Sequence, residues 1–219
     1  MTGSRWSLGA LVVLGTLAPV VRAQRPTVTP LTAADLPAQL APATRQAIAR
    51  LGDSLRAAHL PDEPVYAKAL EGVLKGAEDA RIIAAVRRLA RELGEARAAL
   101  GPSIEDADLV AAASALHVGA TTVMLTRLEE TYRASGGRRT SFATPLVALA
   151  DLLTRRVPAP AAAAAIDSLV ARRAPADDFA SLRAAVERDI DAGRPPEASV
   201  QQRTQVLLKG IDARSRGTP

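Results

Sequence analysis

The chain has no cysteine and no asparagine. Without cysteine there is no disulfide, no thiolate nucleophile and no residue to carry the lipid of a lipoprotein. Aromatic residues are nearly absent: one Trp, two Tyr and two Phe in 219 residues. A core built without them relies on alanine, leucine, valine and isoleucine, which let helices approach closely but bury little area each. Lysine is scarce too. Of the 28 basic residues only Lys68, Lys75 and Lys209 are not arginine. That bias, with the missing asparagine, is what a GC-rich genome encodes. The computed isoelectric point of about 10.3 therefore reflects codon usage rather than a nucleic-acid surface, and no nucleic-acid partner is expected.

What is present begins with MTGSRWSLGALVVLGTLAPVVRAQ. Arg5 supplies a positive start, Leu8 to Val21 an apolar stretch, and Val21-Arg22-Ala23 a cleavage pattern. Residues 1–23 read as a secretory signal peptide cut before Gln24, with an uncleaved N-terminal anchor as the alternative. The apolar stretch is short for a membrane span, and no later segment is long and apolar enough for one. Loss of Arg5 and Arg22 lowers the formal charge from +5 to +3, too little to imply a polyanion partner. The expected location is the periplasm or the medium.

After an extended linker at 24–30, helical periodicity runs through 31–212, and 213–219 is expected to fray. Helices are predicted at about 42–59, 62–75, 78–100, 103–119, 121–135, 144–156, 158–173, 175–192 and from Pro195, about nine or ten in all. In the third, Ile82, Val86, Leu89, Leu93, Ala96 and Leu100 form a seam with spacing 4, 3, 4, 3, 4. SIED, from Ser103, resembles a capping box. No run alternates with period two, so the chain is all-α.

The segments AHLPDE, KGAEDA, VGATTV, RVPAPA and GRPPEA share one grammar. Each ends a helix on glycine or a basic residue and starts the next on proline, an acid or threonine. Gly76, Gly119 and Gly193 read as left-handed C-terminal caps. Helix pairs recurring every 37 to 43 residues predict hairpins stacked as a short α-solenoid or an irregular bundle. The Trp, Tyr and Pro signature of tetratricopeptide repeats is missing. Gly72 differs, because it falls inside a helix. A phosphate loop needs four residues between its glycines and a lysine after the second, and Ala77 follows Gly76. Gly72 is expected to extend a small-residue face with Val65 and Ala69, against which another helix packs.

His59 and His117 fall at helix C-termini, where the dipole favours them. No spacing of histidines or carboxylates fits a metal, no G-x-S-x-G elbow occurs, and no cofactor is implied. The acidic pairs at 62–63, 78–79, 105–106 and 177–178 fall in first helical turns. Arginine doublets recur 17 residues apart: Arg138-Arg139, Arg155-Arg156 and Arg172-Arg173. On one side of the molecule they would form a basic ridge for an acidic partner. Arg138, Arg139, Arg155 and Arg156 are the candidate binding residues. Glu71, between Lys68 and Lys75, is where an enzymatic carboxylate would be sought first, although an exposed ion pair explains it as well.

These features point to an exported, non-enzymatic helical-repeat scaffold that meets another protein or an acidic envelope component. The alternatives are a small-ligand or lipid carrier with an interhelical cavity, and an envelope enzyme with an unrecognised polar site. The export reading is testable: protein recovered from its host begins at Gln24 and lies outside the cytoplasm. An intact mass for the uncut chain in the cytosol would refute it.

Overall fold

The computed structural model describes residues 30–136 and 141–216. The signal segment, the linker as far as Thr29, Arg138, Arg139 and the last three residues lie outside them. A single 3-10 turn at Ala33–Asp35 comes first, closed by a capping box between Thr32 and Asp35. Nine helices follow among the described residues: α1 (Pro42–Ala57), α2 (Glu63–Leu74), α3 (Asp79–Leu100), α4 (Asp106–His117), α5 (Thr122–Ala134), α6 (Ala143–Thr154), α7 (Ala159–Ala171), α8 (Ala176–Asp191) and α9 (Pro196–Arg216). There is no strand among them. Among the described residues no helix is long and apolar enough to cross a membrane.

Helix contacts are local in sequence. Each helix packs chiefly on those one or two places away. The pairs α1–α3, α3–α5, α5–α7 and α7–α9 make one row, and α4–α6–α8 make the other. Hairpin contacts such as α2–α3, α3–α4, α6–α7 and α8–α9 join the rows. No substantial contact links the first helices to the last, the connectivity expected of stacked hairpins. The α3 seam is inside: Ile82, Val86, Leu93, Ala96 and Leu100 are buried, and Leu89 is half-buried. Helix α4 shows how alanine fills a core. Ala111, Ala112, Ala113 and Ala115 are all buried as it lies between α3 and α6.

Six hairpin corners have the same form. A residue with positive φ follows the last turn: His59, Gly76, Gly119, Arg156, Arg173 and Gly193. The next amide donates to the carbonyl five residues back, as in Leu60→Leu55 (2.9 Å), Ala77→Gly72 (2.9 Å), Ala120→Ala115 (2.9 Å), Val157→Leu152 (3.1 Å), Ala174→Leu169 (3.0 Å) and Arg194→Asp189 (2.9 Å). This is the Schellman motif, which satisfies carbonyls the helix end leaves open. Three of the six positions carry side chains, so His59, Arg156 and Arg173 bear left-handed strain.

Two glycines inside helices admit a neighbour. A Cβ on Gly72 would lie 2.7 Å from Cγ1 of the buried Ile82 in α3. A Cβ on Gly52 in α1 would overlap the Tyr66 ring of α2, lying 2.6 Å from its Cζ. Tyr66 is the bulkiest wholly buried side chain, and α1 closes over it only because position 52 is bare.

Two boundaries differ from the sequence reading. Helix α4 starts at Asp106, with Glu105 as its N-cap, so Ser103 caps nothing. The Arg97 guanidinium takes the Pro102 and Ile104 carbonyls (2.8 and 3.2 Å), which holds the connection extended. Helix α9 extends to Arg216, into the segment 213–219. Asp212 pairs with Arg172, and Arg214 with Asp178 at 2.7 Å, so the last turns are tied to α7 and α8.

Urea unfolding of point variants tests the corners and the close contacts. Gly76→Ala has free space around its new methyl yet loses about 1–2 kcal/mol to backbone strain. Gly72→Ala loses about 1–3 kcal/mol through overpacking against Ile82, despite alanine's better helix propensity. Arg156→Gly raises the midpoint by relieving the same strain. Stabilisation by Gly72→Ala would show that Ile82 yields and that the approach is not tight.

Candidate functional site

The predicted arginines end up apart. Arg155 ends α6 and turns inward, pairing with Glu187 of α8 at 2.7 Å. One turn earlier Asp151 pairs with Arg183. The two pairs form rungs between α6 and α8, and the Nε atoms of Arg155 and Arg183 are buried without an acceptor. A cavity of about 380 Å³ opens beside Asp151, Arg155 and Ile190. Arg156 is the exposed left-handed residue of the next corner. Arg155-Arg156 and Arg172-Arg173 end consecutive helices of one hairpin, so they cap opposite ends of the stack. Arg172 is engaged by Asp212. Arg173 is exposed, its guanidinium beside Gly136, where a Cβ would lie 3.7 Å from Nη2. Arg138 and Arg139 are outside the described residues, so no ridge joining all three doublets is traced.

The glycines serve the frame. Gly76, Gly119 and Gly193 have φ of 66, 109 and 83° with open space around them, and Gly72 touches Ile82. His59 is a corner residue whose carbonyl accepts from Arg97 at 3.0 Å. The Nδ1 of His117 lies 3.1 Å from the buried Glu92, which Arg88 holds at 2.7 Å while reaching the His117 carbonyl at 3.0 Å. That closed set ties the end of α4 to α3. Glu71 receives both Lys75 and Lys68, and these hydrogen bonds hold its pKa down at about 2. It is ionised at neutral pH and half exposed, which disqualifies it as a general acid.

Buried carboxylates elsewhere are matched. Asp189 accepts two bonds from Arg203 (2.6 and 2.7 Å), and these bonds hold its pKa below the usual range. Glu129 pairs with Arg133, and Asp178 with Arg214. No cation pairs with Asp108 among the described residues. It accepts from Ser141 Oγ at 3.4 Å and from the Ala143 amide, so it caps α6 from α4, and burial pushes its pKa up. Among the described residues no cluster of three metal-ligating side chains occurs.

The feature without a structural task is a groove between α5 and α7. It holds about 260 Å³. Val123, Met124 and Leu128 form one wall, Ala163 and Ala164 the other, and Leu149 of α6 the floor. Val123 is 75% exposed at its mouth. Asp167 sits at the rim. One of its oxygens is buried with no hydrogen-bond partner, and the other lies 3.6 Å from the exposed Arg127. The sequence held a faint sign of this: Val123 and Met124 open a helix where polar residues are usual, and α7 turns alanines toward the same side. No protein-family model, no curated protein and no solved structure matches the chain.

The two perturbed carboxylates give a test by pH. Asp189, with its lowered pKa, contributes stability that is complete above the ordinary carboxylate range of about 4 and fades as pH falls through its own value. Asp108, with its raised pKa, contributes in the opposite sense, below that range, and the contribution is lost as pH rises through its folded value. Asp189→Asn therefore lowers the urea midpoint at neutral pH, and its deficit closes as pH falls through the lowered folded value of Asp189. Asp108→Asn raises the midpoint at neutral pH and converges on the parent in acid. Differences that stay constant with pH would refute the linkage.

Proposed function

We propose that the chain is an exported, non-enzymatic helical-repeat protein that acts as an interaction scaffold in the cell envelope, with another protein as its partner. The observation that carries the reading is the open apolar groove between α5 and α7, with Val123 exposed at its mouth. Stacked hairpins supply a stiff frame on which such a groove keeps its shape. Most buried polar groups around it are spent on tying helices together. Export rests on the N-terminal pattern, whose apolar stretch and cleavage residues direct a chain across a membrane.

A carrier is the weaker reading. A volume of about 260 Å³ falls below the roughly 300–1,000 Å³ that enclose small-molecule ligands, and a lipid needs more. A groove of that size suits a side chain or two from a docked segment. The charged cavity at Asp151 and Arg155 is lined by groups already paired across α6 and α8, which leaves little charge for an acidic envelope polymer.

A photo-crosslinking residue at position 123, incorporated in the producing cell, tests the reading against the same residue at the exposed Val206 of α9. Discrete protein adducts are expected from position 123 and not from 206. With the partner purified, Ala164→Arg should weaken its binding at least about tenfold. Equal adducts at both positions, or binding indifferent to Ala164→Arg, would remove the groove from the function.

A further inference from the structure

The groove's chemistry specifies more than an apolar occupant. We propose that it receives a helical turn of the partner protein that sets an apolar side chain on the Leu128–Leu149 floor and a lysine or arginine against Asp167. The proposal rests on the interaction reading above and adds the sign of the partner's charge.

Asp167 is the argument. Glu92, Asp178 and Asp189 each accept a hydrogen bond of 2.7 Å or shorter from an arginine, and Glu129 is paired with Arg133. Asp167 is also mostly covered, with 22% of its side chain exposed, but receives no hydrogen bond among the described residues. Its nearest cation, Arg127 Nε, stands at 3.6 Å, beyond the 2.7–3.2 Å of an N–H···O bond. Arg127 itself is 77% exposed, and a surface contact of that length contributes little. A covered carboxylate oxygen without a donor is costly to leave so. That oxygen is covered, so a second cation can approach only the other one, 3.6 Å from Arg127, and must come over an apolar surface, because the groove beside it is walled by Val123, Met124, Leu128 and Ala163. A cationic side chain next to an apolar one meets both demands. An acidic segment would bring a second negative charge to the same rim.

The helical form of the occupant follows from the walls. Ala163 and Ala164 line the gap together with Val123 and Met124, and small side chains on one wall let an incoming backbone lie close over α5 and α7 and lower a side chain toward Leu149. An apolar anchor and a cation one turn apart then fall on one face of the incoming helix.

Two acetylated and amidated helical peptides test this. They share the same leucine stripe and differ only in polar positions, lysine in one and glutamate in the other. Binding to the purified full chain is followed by fluorescence anisotropy, and the contact surface by backbone amide shifts. The lysine peptide is expected to bind about tenfold more tightly, with shifts confined to α5, α7 and the 149 region. Asp167→Asn should abolish the preference while leaving glutamate-peptide binding in place. Arg127→Ala, which leaves the carboxylate wholly unpaired, should strengthen lysine-peptide binding by roughly threefold. That opposite sign is one a folding defect does not produce. Equal binding of the two peptides at the groove would overturn the charge assignment and leave the scaffold reading standing. Shifts elsewhere, or no binding by either peptide, would overturn this proposal, while the crosslinking at position 123 judges the scaffold reading separately. n-Hexylamine binding as tightly as the lysine peptide would also overturn it, by making the groove a site for small amines.

Discussion

The left-handed corner governs the rest of the structure. Six times a helix ends on a residue with positive φ, and the following amide returns to the carbonyl five residues back. The corner stops the helix within a turn and sends the chain back beside it. Its geometry sets where the next helix begins, and therefore which face meets the neighbour. At Leu60, Ala77, Ala120, Val157 and Ala174 the residue after the corner is apolar and at least half-buried, so the turn is also pinned to the core. The helices between are poor in bulky side chains, and repeated corners bring them close enough for alanine to pack.

The polar side chains do the second part of the binding together. A chain without asparagine, and with few side-chain N-caps, leaves helix ends short of partners. Neighbouring helices supply them. Asp79 of α3 accepts from the Ala41 amide at the start of α1 (2.9 Å), and Asp108 of α4 covers the start of α6. In the other direction Arg97 and Arg88 of α3 cover carbonyls at the ends of α1 and α4. The arginine-rich composition is thus put to structural use, since one guanidinium reaches two or three acceptors at once. Against that pattern Asp167 of α7 stands out, because its nearest cation, Arg127 of α5, comes no closer than 3.6 Å.

Much of this was written plainly enough to read. Helical period and glycine corners located every helix to within a few residues, because both signals are local. What escaped was non-local. His59, Arg156 and Arg173 take a conformation that favours glycine, and nothing in their identity announces it. The pairing of Arg155 with Glu187 spans 32 residues and depends on α6 and α8 running side by side. Gly52 carried the same mid-helix signal as Gly72, but only the meeting with Tyr66 gives it meaning. Arginine doublets read as a ridge on a linear chain because the sequence does not show that consecutive helix ends face opposite ways. The groove depends on which helices fail to touch, a property no single segment carries.

That last point explains why the groove lies where it does. Helix α5 packs on α3 and α7 within its own row but has at most slight contact with α4 and α6. Its tie to the other row is concentrated near one end, where the Tyr132 and Phe142 rings meet with centroids 4.7 Å apart. Toward the opposite end, at Val123 and Met124, α5 stands away from α6, and the buried Leu149 lies beneath the gap between α5 and α7. At this step the facing residues are Ala163 and Ala164, too small to fill the space. In a stack whose helices feel only their neighbours, such a gap is tolerated locally, because its cost is not passed along the chain. The same locality means that filling the gap would leave the corners that hold the frame undisturbed.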